Sequence, residues 1–260
     1  MPDEPRTERR RLLGAAGLLA AAASLPDIAG PANAQAERDA LGEWTLDTMK
    51  GLAVFVMPGP DAYSRAQGTP RKEPGGIEAK LPEFLVQNLN RYLPFPDLPV
   101  GGLAGALAPL LRGAGPGPFQ SDAVIPLAPL AALILNAEAV RVDPGTLGGR
   151  FLAPFSRLAY RGKAKVFELL EGPDPALVEA LDVQLPEPLK RSASGLLKYV
   201  AGALLELSAL GGYSEWGVFD PATKRLSGRP VGWRDSGYVP ASEGRPEFRG
   251  YYQGRRKVTG

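Results

Sequence analysis

The chain has 260 residues, 30 basic and 28 acidic, giving a formal net charge of +2, and it contains neither cysteine nor histidine. Without thiolate or imidazole there can be no Cys/His zinc site, Cys-ligated iron–sulfur cluster, haem attachment through CxxCH, histidine-based triad or disulfide. Near-balanced charge argues against a nucleic-acid field over the whole molecule, and a chain of this length folds by packing alone into one or at most two domains.

The run Glu8-Arg9-Arg10-Arg11-Leu12-Leu13 directly precedes the uncharged, alanine-rich stretch 12–26. Two arginines, a variable residue and then apolar residues resemble a twin-arginine export signal, with Arg9, Arg10, Leu12 and Leu13 as its elements. Ala32-Asn33-Ala34 has the small-x-small pattern that signal peptidase accepts, so cleavage is expected after Ala34, with 34–36 as the alternative site. The apolar stretch is shorter than the roughly 20 residues of a bilayer span. Residues 1–34 are therefore read as signal, 35–210 as a helical domain and 211–260 as a C-terminal arm. The twin-arginine route carries folded cargo, for which a cofactor or a partner is the usual reason.

Residues 37–56 place Leu41, Trp44, Leu46, Met49 and Leu52 at mostly three- and four-residue spacing, which predicts an amphipathic helix. Met57-Pro58-Gly59-Pro60 ends it, and the stretch through Gly76 reads as a surface loop. A second helix is expected over 81–93, with Pro82 in its first turn, and a short apolar one over 103–111. The segment 123–137 is very hydrophobic, but it contains Pro126 and Pro129. It reads as a central core helix starting near Leu127, not a membrane span.

Further helices are expected over 154–171, 175–185 and 189–210, the last with Leu196, Leu197, Val200, Ala203, Leu204, Leu207 and Leu210 on one face. In the first, Phe155, Leu158, Ala159, Val166, Phe167 and Leu170 should face inward, and Arg157, Arg161, Lys163 and Lys165 outward. Gly211-Gly212 reads as the stop of the last helix. The fold class is thus all-α: an irregular bundle of about six or seven helices followed by an extended, Gly- and aromatic-rich C-terminal arm.

That arm, 211–260, holds eight of the twenty aromatics, too many for a solvated tail. Asp220-Pro221 between Phe219 and Leu226 predicts a turn or hairpin, and 227–233 reads as extended. From 221 onward nine basic residues face three acidic ones. Aromatics and arginine are enriched at energetically important interface positions. Tyr213, Trp216, Phe219, Arg229, Trp233, Tyr251, Tyr252 and Arg255 are accordingly the candidate partner-binding residues. The competing reading is that Trp216, Phe219 and Trp233 cover the apolar end of the helical body.

Only carboxylates remain for acid–base or metal chemistry. The pairs Glu168/Glu171 and Glu179/Asp182 lie at i, i+3 spacing on polar helix sides and read as solvated surface. The glycine-rich stretches 101–105 and 148–150 lack the context of a phosphate cradle. No catalytic, cofactor-binding or metal-binding residue is assigned. Arg255-Arg256-Lys257 beside Tyr251-Tyr252 could stack and pair with single-stranded nucleic acid, but the export signal argues against that partner.

Three strings in the arm carry a resemblance: Gly211-Gly212-Tyr213-Ser214-Glu215-Trp216, Leu226-Ser227-Gly228-Arg229-Pro230-Val231-Gly232-Trp233, and Phe248-Arg249-Gly250-Tyr251-Tyr252-Gln253-Gly254-Arg255. Together they resemble the end of small subunits in the gluconate 2-dehydrogenase subunit 3-like group, and the twin-arginine start fits that group. The resemblance implies a non-catalytic partner of a flavin-dependent dehydrogenase or oxidase of the glucose–methanol–choline type. There the large subunit binds FAD and oxidises an alcohol or sugar, and the small subunit folds with it and carries it across the membrane. It transfers no individual functional residue.

The expectation is an escort and stabilising subunit without a cofactor of its own, periplasmic or secreted. Its partners would be a larger flavoprotein and the twin-arginine translocation machinery, with no nucleic acid and no stable membrane span in the mature chain. Two alternatives differ in kind. A stand-alone exported all-α protein binding an apolar ligand would show a closed cavity between 127–135 and 196–207. A carboxylate-dependent hydrolase would show buried, perturbed Asp/Glu in a cleft. A large exposed apolar and aromatic patch would favour the escort.

Overall fold

The computed structural model describes residues 20, 34–91, 127–172, 175–185 and 191–239, and these form a mostly helical bundle. Helix α1 (Ala34–Val56) buries Trp44, Met49, Leu52 and Ala53 and packs against α3 (Leu81–Arg91) and α4 (Leu127–Val142). Helix α4 starts at Leu127 as its prolines suggest, and buries residues on every side, as a core helix does. Full burial of Leu133, Ile134 and Leu135 contributes about 1.5–3 kcal/mol each. The helix expected over 103–111 lies outside the described residues.

The segment expected as surface loop contains helix α2 (Ala62–Gln67). Asp61 caps it by accepting from the Ser64 backbone N–H at 2.8 Å, and Gly68 closes it in the left-handed conformation at φ 89°. This helix has no apolar stripe to betray it. Ser64 and Gln67 are buried instead, the latter donating from Nε2 to the Val54 carbonyl at 2.7 Å and so docking α2 on α1.

The single helix expected over 154–171 is two helices, α5 (Pro154–Arg157) and α6 (Tyr160–Glu171), separated by extended backbone at Leu158 and Ala159, which leaves Ala159 exposed and not facing inward as expected. Helix α5 is pinned across the core. The Phe155 N–H donates to Asn136 Oδ1 at 2.8 Å, and Ser156 Oγ donates to the Asp47 carbonyl at 2.6 Å. The two extended residues let the chain leave that anchor and restart as α6 along α4.

Helix α7 (Pro175–Gln184) leads to α8 (Ala193–Tyr213), which crosses α1, α3, α6 and α7. Gly211-Gly212 does not stop α8, which runs through both glycines. Strands β1 (Phe219–Asp220) and β2 (Arg225–Leu226) form the expected hairpin, pairing Phe219 with Leu226 and Asp220 with Arg225. Asp220 holds its turn, accepting from the Ala222 N–H at 2.9 Å and from Thr223 Oγ1 at 2.7 Å. Part of the stretch expected as extended is helical: α9 (Val231–Asp235) packs on the end of α8. Its Gly232 sits so close to Tyr213 that a Cβ would lie 2.4 Å from the Tyr213 Cα, a close approach only glycine permits.

Candidate functional site: the outer face of α8

Helix α8 buries Leu197, Val200, Ala201 and Leu204 against the bundle. Its other face is also apolar. Tyr199, Gly202, Ala203, Glu206, Leu207 and Leu210 line an open groove of about 450 Å³. Their spacing of three, one, three, one and three residues puts them on one helical face. Gly202 and Ala203 leave the backbone close to the surface between the larger side chains, and Glu206 is the one charge in the lining. Leu210 is 62% exposed and Tyr199 is 49% exposed.

Among the described residues α8 is the one helix long and apolar enough to cross a membrane, with a mean hydropathy of 1.3. Its inner face, however, is engaged by four other long or medium helices, which ties it into the bundle.

The apolar face continues at the end of α8. Tyr213 is 47% exposed and its hydroxyl donates to Asp235 Oδ2 at 3.2 Å, joining α8 to α9. Arg229 donates from Nη2 to the Tyr238 carbonyl at 2.9 Å, and Trp233 meets Tyr238 edge-on with ring centroids 5.0 Å apart. Asp235 also pairs with Arg71 at 3.3 Å, fastening α9 to the loop after α2. Of the sequence-expected interface residues, Tyr213, Arg229 and Trp233 thus meet around α9. Phe219 stands exposed on the hairpin. Trp216 is half-buried, edge-on to Phe84 at 5.6 Å and packed against the core.

Tyr251, Tyr252 and Arg255 lie outside the described residues, as do Arg9, Arg10, Leu12, Leu13 and Ala32. Ala34 is the first residue of α1.

A second constellation, absent from the sequence-based candidates, is buried where α1, α2, α5 and α6 meet. Asp47 accepts from the Tyr63 hydroxyl at 2.6 Å and from the Ala153 N–H at 2.9 Å. Lys163, expected to face outward, is fully buried. Its Nζ donates to the Gly51 carbonyl at 2.9 Å and to Gln67 Oε1 at 2.8 Å, and lies 5.5 Å from the Phe155 ring centre. Burial pushes the Lys163 amine down to about 7, against the pull of Asp61 and Asp47 toward the charged form. Burial and the hydrogen bond to Asp47 push the Tyr63 phenol well above its usual value.

The spacing contained the signal for Lys163. It precedes Val166 and Phe167 by three and four residues and Leu170 by seven, so it belongs to the inward stripe of α6.

Neither carboxylate pair lines the groove on α8 or a second pocket around 143–157, but Glu179, expected on a solvated surface, is half-buried and its Oε2 has no hydrogen-bond partner among the described residues. Glu168 and Glu171 are exposed, with Glu168 paired to Lys165 at 2.9 Å, and Asp182 Oδ1 accepts from the Ala193 N–H at 3.1 Å at the start of α8. The buried Glu138, whose carboxyl is raised by burial, is held by both oxygens on Arg141 within α4. No group of three or more acidic residues among the described residues could hold a metal ion. A smaller open pocket of about 230 Å³ is lined in part by Gly148, Gly149, Arg150 and Arg157. The Arg157 guanidinium is already spent on the carbonyls of Thr146, Phe151 and Leu152.

No family model matches this chain, and neither does any curated protein or solved structure.

Proposed function

We propose that this chain is a non-catalytic escort and stabilising subunit. It binds a larger, exported flavin-dependent alcohol or sugar dehydrogenase or oxidase and carries that folded partner through the twin-arginine route. The finer architecture belongs to the same reading: a compact helical body ending in an aromatic, basic arm that extends the docking surface. The observation that carries it is the exposed apolar face of α8, from Tyr199 to Tyr213, which continues onto the aromatic cluster of α9. Contiguous exposed apolar and aromatic surface of this kind marks an interaction site. Tyrosine and tryptophan with an arginine beside them are the side chains that anchor interfaces.

The rival readings find less support. The groove on α8 is open and faces outward, while Leu133, Leu135, Leu197 and Leu204, on the segments that an apolar-ligand cavity would use, pack into the core. The buried carboxylates Asp47 and Glu138 are engaged by hydrogen bonds within the core and not by a cleft.

The test is co-purification with a flavoprotein encoded beside this chain. Leu210→Glu and Ala203→Glu place a charge on the outer face of α8 without touching its buried side. Loss of the partner with the helical spectrum unchanged supports docking through α8, whereas undiminished co-purification removes this face from the interface.

A further inference from the structure

The amine of Lys163 has two acceptors, the Gly51 carbonyl of α1 and Gln67 Oε1 of α2, and forms no ion pair with a described carboxylate. A neutral amine has two N–H groups, which these two oxygens satisfy, whereas the third N–H of an ammonium would have only the face of the Phe155 ring, its centre 5.5 Å from Nζ, and no oxygen acceptor. Gln67 is held in turn by donating to the Val54 carbonyl and to Thr69 Oγ1, which fixes its carbonyl toward Lys163. One nitrogen therefore bonds α6 to both α1 and α2, beside the Gln67 and Tyr63 bonds that join α2 to α1 and the packing of Phe55 on Tyr160 and Phe167 that joins α1 to α6.

We propose that Lys163 is a proton-operated latch: as a neutral amine it ties the start of α6 to α1 and α2, and proton uptake opens that corner.

The charged and titratable groups around the latch come from every packed element. Asp47 on α1 is satisfied by Tyr63 and the Ala153 N–H, and Asp61 at the cap of α2 by the Ser64 backbone and hydroxyl. Both carboxylates favour the charged amine but neither reaches it. Arg157 on α5 is turned to the 146–152 carbonyls. On α4, Glu138 pairs with Arg141. On α6 itself Arg161 and Lys165 are exposed, and on α8 so are Lys198 and Glu206.

Burial lowers the amine to about 7, whereas an unfolded lysine titrates near ~10.4. Between those values the unfolded or opened state holds one proton more, so the closed corner gains stability as pH rises and loses it as pH falls toward 7. The chain has no histidine or cysteine side chain to titrate across the same range.

Two measurements on the full chain test the latch. In lysine labelled with ¹³C at Cε, one resonance, absent from Lys163→Met, should titrate near neutrality. If every lysine titrates above pH 9, the proposal is wrong. This measurement does not require the variant to be stable, because the wild-type titration decides it.

Hydrogen exchange, corrected for intrinsic rates, should show protection at 62–67 and 160–167 falling about tenfold per pH unit from pH 9 to pH 7.5, with 127–142 unchanged. Lys163→Met should remove that dependence. A profile that is flat in the wild type, or equally steep in the variant, overturns the proposal.

Discussion

Gly211 lies against the ring of Phe84: a Cβ placed on the glycine would sit 2.3 Å from Phe84 Cδ1 and 2.7 Å from Leu81 Cδ1. The absence of a side chain at this glycine thus lets α8 pack directly against Phe84 and Leu81 of α3. Its place is inside α8 and not at its end. Gly211→Ala should destabilise the fold by about 1–3 kcal/mol, the usual cost of overpacking, despite alanine's better helix propensity. Denaturant unfolding checks this, and an unchanged or raised midpoint would contradict the packing described.

The Tyr63 hydroxyl donates to the buried Asp47 carboxylate at 2.6 Å. Tyr63→Phe removes a hydrogen bond to a charged group and should cost about 1.5–3 kcal/mol at neutral pH. The phenol is raised in the folded state above its unfolded value of 10.0, by burial first and Asp47 second. Its contribution is therefore fully present below pH 10 and lost as pH rises above it, where the unfolded state releases its proton first. The wild type should lose stability more steeply than Tyr63→Phe above pH 10, and parallel alkaline unfolding curves would count against the pairing.

Asn136 bridges three elements, donating to Thr48 Oγ1 at 2.9 Å and to the Ala132 carbonyl at 2.7 Å and accepting from the Phe155 N–H at 2.8 Å. Asn136→Leu leaves the Phe155 N–H buried without that acceptor, a cost of about 1–3 kcal/mol. Because the Phe155 bond anchors α5, exchange of amides 155–157 should accelerate more than that of 37–56. Equal acceleration would mean that α5 is held by other contacts.

These elements also separate what the sequence displays from what it conceals. Periodic apolar residues and flanking prolines place α1 and α4, because those helices owe their position to burial of side chains that the spacing exposes. The hairpin at 219–226 follows from Asp220-Pro221 for a local reason. Helix α2 escapes notice since its buried residues, Ser64 and Gln67, are polar and read as loop. The break at Leu158-Ala159 has neither proline nor glycine. Only long-range bonds from Phe155 and Ser156 to α4 and α1 impose it.

Lys163 was concealed by its charge, although its spacing belongs to the inward stripe. For the proposed interface, composition points to the end of the chain, where Tyr213, Arg229 and Trp233 lie around α9. The single apolar face expected from Leu196 to Leu210 is divided in the structure: Leu197, Val200 and Leu204 are buried, whereas Ala203, Leu207 and Leu210 line the open groove, because both sides of α8 are apolar and only the packing of α1, α3, α6 and α7 distinguishes them.

The claim that this chain carries a partner is tested most directly by export. The flavoprotein is expressed with this chain, either wild type or with Arg9→Lys and Arg10→Lys together, and its dehydrogenase activity is measured in periplasmic and cytoplasmic fractions. The account predicts periplasmic activity with the wild-type chain and retention in the cytoplasm, fully folded and flavin-loaded, with the double variant. Unchanged periplasmic activity with the double variant would contradict it.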